Sequence, residues 1–374
     1  MPEITIYTTG FCPFCYHAKK LLDSKGARYD EIDVNRTPGA RQEMMQRSQG
    51  GRTVPQIFIG DRHVGGCDEL YALEQQQQLD PLLKPKDNAM TNFKAACVQI
   101  NASNDLAENI TSLGAMIRQA RDQGADFITT PECAAMIEVG RDNIRAKAYL
   151  EADHPALAAF REWAVETGAW LLAGSLSVLE EGEERLANRQ YLIDPAGNIA
   201  AKYDKIHMFD VDLPNGKSLR ESNNYRPGAE AIVTPLPWCR LGLSICYDLR
   251  FPHLYRDLAK AGADVLVIPS AFMQVTGEAH WHVLMRARAI ETGCFVIAAA
   301  QCGEHVAGRL SYGHSLIVAP WGEVLSDGGT GEGVSLAEID LAAVGKARGH
   351  IPALRHDRDY EFKFSEPDVS TAAE

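Results

Sequence analysis

The sequence predicts two α/β domains in tandem, a small one followed by a larger layered one with two sheets. Three observations carry this. Over the first 85 residues, short strands and helices follow the order β-α-β-α-β-β-α. From residue 93 onward, continuous apolar runs of strand length alternate with helical segments, the pattern of buried strands between helical layers. Between the two, Lys84-Pro-Lys-Asp-Asn-Ala-Met-Thr-Asn92 is polar and contains proline, as a linker does. The expected organisation is a first domain over 1–85, a linker over 86–92, a second domain over 93–362, and a small, polar, mobile tail over 363–374.

In the first domain, residues 4–7 alternate as a short strand, and Cys12-Pro-Phe-Cys15 opens a helix to about residue 25. A second strand is expected over 28–34 and a second helix over 39–48. Residues 54–59 and 63–64 form a hairpin around Gly60-Asp61, and 68–77 a closing helix. In the second domain, strands are expected at 95–100, 127–130, 170–176, 189–193, 241–245, 265–269, 295–300 and 314–318. Helices are expected at 106–123, 155–167, 252–261 and 279–292.

Composition narrows the function. The chain has 374 residues, 45% of them hydrophobic, enough for two packed cores. Net charge is −13, yet the first 86 residues hold 11 basic and 11 acidic side chains, so the remainder of the chain carries the excess. An acidic body without a basic run disfavours nucleic acid and anionic membrane surfaces as partners. The nine cysteines include one tight pair, no leader precedes the first strand, and no apolar run approaches the ~20 residues of a membrane span. These features point to a cytoplasmic protein with free thiols rather than a disulfide scaffold.

Two sites emerge. Cys12 and Cys15 lie at a strand-to-helix turn, where the first thiol faces helix N-terminal N–H groups. That makes Cys12 the nucleophile and Cys15 the resolving thiol. Half a zinc site is the bland alternative, but zinc needs two more ligands and only Cys67 is near. Thr53-Val-Pro55 favours the redox reading, since a proline before a strand here is placed for a cis bond facing the thiol.

With Cys12-Pro-Phe-Cys15, Thr53-Val-Pro55-Gln-Ile-Phe-Ile59, Gly65-Gly-Cys-Asp68 and Leu79-Asp-Pro-Leu-Leu83, the first domain resembles a glutaredoxin of the bacterial glutaredoxin-3 kind. The resemblance implies a thioredoxin-like fold and glutathione as reductant and co-substrate. It also implies a glutathione site at Thr53, Val54, Pro55, Cys67 and Asp68. Thr9 and Phe14 depart from the family, which commonly has Lys and Tyr there.

The second site is spread along the chain: Glu132 in Asp126-Phe-Ile-Thr-Thr-Pro-Glu132, Lys205 in Lys202-Tyr-Asp-Lys-Ile-His207, and Cys246 in Leu241-Gly-Leu-Ser-Ile-Cys246. Each context places its residue at a strand end. Taken singly, they are a solvated cap, a surface charge and a packed thiol. Together, a carboxylate that takes a thiol proton, a thiolate that attacks and an ammonium that steadies an oxyanion make an acyl-transfer site.

Thr130-Pro-Glu132, Lys205-Ile-His-Met-Phe-Asp210, Glu221-Ser-Asn-Asn-Tyr-Arg-Pro-Gly228 and Cys246-Tyr-Asp-Leu-Arg-Phe-Pro252 resemble, in this order, the carbon–nitrogen hydrolase (nitrilase) superfamily. The resemblance implies a four-layer αββα sandwich that dimerises through its faces, with residues 351–360 near the interface. It implies Glu132 as general base, Lys205 as oxyanion donor, Cys246 as nucleophile, the Tyr247 backbone N–H as second oxyanion donor, and Glu221 as accessory carboxylate. It implies no bound metal or cofactor. His253 stands where many relatives have Glu, with packing consequences expected.

The run from Pro269-Ser-Ala-Phe272 through Ala298-Ala-Ala-Gln-Cys-Gly303 and Ser311-Tyr-Gly-His-Ser315 to Pro320-Trp-Gly322 is similar to the branch that hydrolyses deaminated glutathione. That compound is glutathione with its glutamyl amine replaced by a ketone. Its products would be 2-oxoglutarate and cysteinylglycine. The alternatives are an ω-amidase acting on 2-oxoglutaramate, or a nitrilase or carbamoylase. A glutathione-handling domain tethered to such an amidase is chemically coherent.

Overall fold

The computed structural model describes residues 4–60, 62–76, 78–83, 92–212, 216 and 218–363. The chain divides into two units, 1–89 and 90–374. Most of the expected linker (all but Asn92), Asp61 of the expected hairpin and the expected tail beyond residue 363 lie outside the described residues.

The first unit holds a four-stranded sheet in the order Asp30–Asp33, Ile4–Thr8, Gln56–Ile59, Arg62–Gly65, parallel at its first pair and antiparallel thereafter. The two-residue side-chain period of a strand splits its faces. Ile4, Ile6, Ile57 and Ile59 pack with Leu21, Leu22 and Leu70 on one face, and Tyr7 and Phe58 with Val34 and Met44 on the other. Pro13–Ser24, Ala40–Arg47 and Cys67–Gln75 are its helices, and a short helix, Leu79–Leu83, follows the expected last one.

The second unit has two sheets. One runs Ile199–Asp204, Leu186–Ile193, Trp170–Leu179, Phe127–Thr129, Asn92–Gln99, Gly333–Asp340. The other runs Val233–Pro235, Arg240–Leu243, Val265–Val267, Phe295–Ala298, Leu316–Val318, Val324–Asp327. Phe93, Ala95 and Cys97 share a core with Leu241, Leu243, Val265 and Ile297 of the other sheet. The alternate residues Ala96 and Val98 turn outward against Leu113, Ile117, Phe160 and Trp163 of helices Leu106–Asp122 and Pro155–Thr167. Helices Pro252–Lys260 and Gln274–Thr292 cover the second sheet, completing the four expected layers.

Several elements differ from expectation. Helix Gln274–Thr292 starts five residues earlier than 279. Gly277 reads as a helix breaker, but within this helix it is where the Tyr312 ring approaches, 2.4 Å from where a Cβ would stand. The expected linker also ends one residue too late, because strand Asn92–Gln99 begins at Asn92. Strand Gly333–Asp340 was not expected; it pairs antiparallel with the whole of Asn92–Gln99, and its half-buried pattern lacks the continuous apolar run of the inner strands.

Candidate active site

Glu132, Lys205 and Cys246 lie far apart in sequence and meet in one place. Glu132 follows strand Phe127–Thr129 by three residues. Gly174, on the neighbouring strand, lets its turn pass close: a Cβ there would stand 1.9 Å from the Thr130 carbonyl oxygen. Lys205 directly follows strand Ile199–Asp204, and Gly228 performs the same service, with a Cβ 2.2 Å from the Asp204 carbonyl oxygen. Cys246 follows strand Arg240–Leu243 and sits at φ +47° at the start of a 3-10 turn, Cys246–Arg250. A non-glycine residue in that region costs about 1–2 kcal/mol and persists only where the surroundings enforce it.

Here the enforcing group is Asp248, fully buried. Its carboxylate accepts the Ile245 N–H (2.9 Å), the Tyr203 hydroxyl (2.7 Å) and the His207 N–H (3.0 Å), and pairs with His207 Nδ1 (2.7 Å). One carboxylate therefore pins the Cys246 turn to the strand and loop that carry Lys205. Asp248 stands in the Cys246-Tyr-Asp248 motif, but nothing in the local sequence marks this role.

The geometry is tight. Lys205 Nζ donates to Glu132 Oε1 at 2.8 Å and to Glu221 Oε1 and Oε2 at 3.0 and 2.8 Å. The Cys246 thiol shares the cavity wall with the Glu132 carboxylate and feels its charge. The other Glu132 oxygen accepts the Ala271 N–H at 2.9 Å. Asn188 Nδ2 bridges Glu132 Oε1 and Glu221 Oε1 at 3.0 and 3.2 Å. Asn188 was also missed; nothing local marks it, since its role is to bond two carboxylates that only the fold brings together. Glu221 further accepts the Phe209 N–H at 2.7 Å, and Tyr247 lines the cavity beside Cys246.

The charges follow from this wiring. Burial opposes charge on Glu132, but the Lys205 ammonium and its hydrogen bond hold the carboxyl below its ordinary range. Burial likewise opposes charge on Lys205, yet Glu132 and Glu221 keep it protonated well above the usual lysine value. Burial and the Glu132 charge push the Cys246 thiol well up. The resting site is thus a neutral thiol beside an ionised carboxylate, the starting state for a base-assisted attack. Neighbouring Cys133 is pushed up to about 12, by burial first and then by Glu132, and does not compete as a thiolate.

This cluster lies in a cavity of about 310 Å³ whose apolar wall includes Met136, Ile137, Phe209, Leu219 and Phe272. Among the described residues, no metal ligand set is part of it. Among the described residues, His282, His314 and Asp327 do bring ligand atoms within 4.8 Å of one another. Asp327 pairs with His282 Nε2 at 3.1 Å and His314 Nδ1 at 2.9 Å. The three come from a helix, a loop and a strand end, so no short spacing marks them in the sequence. None of them lines the cavity.

In the first unit, Cys12 precedes helix Pro13–Ser24, and its sulfur accepts the Cys15 N–H at 3.2 Å. Cys12 Sγ also lies 3.6 Å from the Val54 carbonyl oxygen, and the Val54–Pro55 bond is cis. Cys15 is buried, and burial together with its hydrogen bond to Cys12 raises its thiol to about 12. Cys67 begins helix Cys67–Gln75, buried and raised by burial and then by Asp68, which is itself exposed. Phe11 and Phe14 stand out in solvent beside the pair.

A four-layer sandwich with a buried Glu-Lys-Cys cluster is the architecture of an amide-cleaving thiol hydrolase, and the Carbon-nitrogen hydrolase family model matches residues 94–349: the chain belongs to that family. Residues 4–64 match the Glutaredoxin family model, so the enzyme carries a glutaredoxin domain ahead of its hydrolase domain. Among relatives, a deaminated glutathione amidase from Dictyostelium discoideum is 38% identical over 275 residues, 71% of this chain and 94% of its own length. The human omega-amidase NIT2 is 36% identical over 273 residues, 72% of this chain and 96% of its own length. The Caenorhabditis elegans NitFhit protein superposes with a TM-score of 0.67 at 38% identity, covering 71% of this chain and 65% of that one. An amidase variant from Nesterenkonia sp. AN1, with the acetamide moiety of fluoroacetamide added covalently at its active-site cysteine, superposes with a TM-score of 0.60 at 25% identity, over 71% of this chain and 94% of that one.

Proposed function

We propose that the hydrolase domain cleaves the amide of deaminated glutathione to 2-oxoglutarate and cysteinylglycine. The observation that carries the chemistry is a single carboxylate, Glu132, that stands 2.8 Å from Lys205 Nζ and lines one cavity with the Cys246 thiol. The substrate assignment is supported by the deaminated glutathione amidases among the relatives.

Glu132 takes the thiol proton as sulfur attacks the amide carbon. Lys205 and the Tyr247 backbone N–H take the oxyanion. As the tetrahedral intermediate collapses, the C–N bond breaks and Glu132 passes its proton to the leaving nitrogen, which departs as the amine of cysteinylglycine. Water, deprotonated by Glu132, then attacks the thioester; the C–S bond breaks, the thiol is restored and the acid leaves. Glu221 holds Lys205 in place throughout. In the Nesterenkonia amidase variant the active-site cysteine likewise acts as a nucleophile, there taking up the acetamide moiety of fluoroacetamide.

The glutaredoxin domain uses Cys12 for exchange with glutathione mixed disulfides. Thr53, Val54, Pro55, Cys67 and Asp68 bind the tripeptide, and glutathione resets the thiols. In this reading it frees the substrate thiol, or an oxidised Cys246, before hydrolysis. The enzyme works as a homodimer through its hydrolase domain in the cytoplasm; no described helix is long and apolar enough to cross a membrane.

Parallel assays of deaminated glutathione and 2-oxoglutaramate decide the substrate. A kcat/KM at least tenfold higher for the former is expected; the reverse order would make the enzyme an ω-amidase, as in its NIT2 relative. For the coupling, the protein is oxidised with glutathione disulfide and amidase recovery is followed after adding glutathione. Recovery of Cys12→Ser as fast as wild type overturns it.

A further inference from the structure

Three cationic residues line the cavity: Lys205, Arg220 and Arg309. Lys205 is committed to Glu132 and Glu221. Arg220 is paired with Asp212 and with the Val211 and Leu219 carbonyls. Arg309, which begins strand Arg309–Tyr312, is different. Its Nη2 donates to the Ala271 carbonyl at 2.9 Å, and its Nε is buried and, among the described residues, without a hydrogen-bond partner. The same Ala271 donates its N–H to Glu132, so this one residue ties the guanidinium to the base of the reacting cluster.

A guanidinium presents its N–H groups as a planar fork that matches a carboxylate in two-point contact. Desolvating one without a counter-charge is unfavourable, and an anionic ligand offsets that cost. We propose that Arg309 is the residue that reads a carboxylate of the substrate, confining this cavity to anionic amides; this rests on the amidase reading of the site. Deaminated glutathione has such a group at each end, on the 2-oxoglutaryl half and on the glycine of the leaving half. The chemistry Arg309 recognises is the same for both.

The test measures KM and kcat of Arg309→Leu and Arg309→Lys for deaminated glutathione, for 2-oxoglutaramate and for a neutral short-chain amide. Glutarate binding to the Cys246→Ser protein, with and without Arg309→Leu, is measured in parallel. Loss of a close charge partner is expected to raise KM for a carboxylate substrate roughly thirtyfold or more, with a smaller change in kcat. Arg309→Lys is expected to recover part of the loss, which a folding defect would not. A rise for both carboxylate substrates assigns Arg309 to the acyl half; a rise for deaminated glutathione alone assigns it to the leaving half. An equal loss for the neutral amide, or no change for any substrate, overturns the proposal. Should the wild type turn over neither carboxylate substrate while glutarate binding still depends on Arg309, the substrate assignment falls and the carboxylate site stands.

Discussion

Lys205 is held by Glu221 as firmly as it holds Glu132: its ammonium meets both Glu221 oxygens, at 3.0 and 2.8 Å, and Glu132 Oε1 at 2.8 Å. One buried cation between two carboxylates leaves the cluster with a net negative charge. That favours a neutral thiol at rest and fixes the ammonium against both carboxylates.

Glu221→Gln removes the charge that anchors Lys205 without emptying its place. A fall in kcat of about 10²-fold is expected, since misplacing a catalytic donor by about 1 Å has that effect. Steady-state amide hydrolysis measures it, with KM changing less than kcat.

Cys246→Ala is expected to abolish amide hydrolysis and leave reduction of a glutathione mixed disulfide intact. Cys12→Ser should do the opposite to disulfide exchange. Both activities are measured on the full chain, and loss of both in either variant would contradict two independent thiol sites.

Cys15→Ser is expected to retain glutathione-dependent exchange. Cys15 is buried with its thiol raised to about 12, so it resolves rather than attacks. The reduction of a protein disulfide, which needs the second thiol, is the readout that should fall.

Gly174→Ala would drive a Cβ to 1.9 Å from the Thr130 carbonyl oxygen, backbone that cannot swing away. A loss of about 3 kcal/mol or more is expected, together with hydrolysis, because the displaced turn carries Glu132. Urea unfolding followed by tryptophan fluorescence isolates the effect, since all five tryptophans belong to the hydrolase unit.

His154 gives a pH signature. It is buried and its pKa is lowered to about 4 by that burial. Above the unfolded value of about 6.5 the ring is neutral in both states and contributes nothing. As pH falls, the unfolded chain gains a proton that the folded chain refuses, so stability drops by about 3 kcal/mol by pH ~4. Glu132, held below its ordinary range, adds a loss only as pH falls through the carboxylate region. The fluorescence-detected urea midpoint at pH 7 and pH 5 should converge in His154→Gln.

Both thiol centres were legible because their residues sit in short contiguous motifs, from Cys12-Pro-Phe-Cys15 to Thr130-Pro-Glu132 and Cys246-Tyr-Asp248. The inner strands were legible as unbroken apolar runs, whereas half-buried Gly333–Asp340 was not. Asn188, Asp248 as a pin, Ala271 and Arg309 escaped notice because each acts on a residue distant in sequence.

The chain by itself determined the two-domain order, the layered α/β class and the motifs that hold the candidate thiols, since periodicity and local motif are written in neighbouring residues. Only the tertiary structure decided which carboxylate meets which cation, how the Cys246 turn is held at positive φ, and what charge faces the cavity. Those are properties of distances between residues tens of positions apart, and Coulomb interactions and hydrogen bonds depend on separation in space rather than along the backbone.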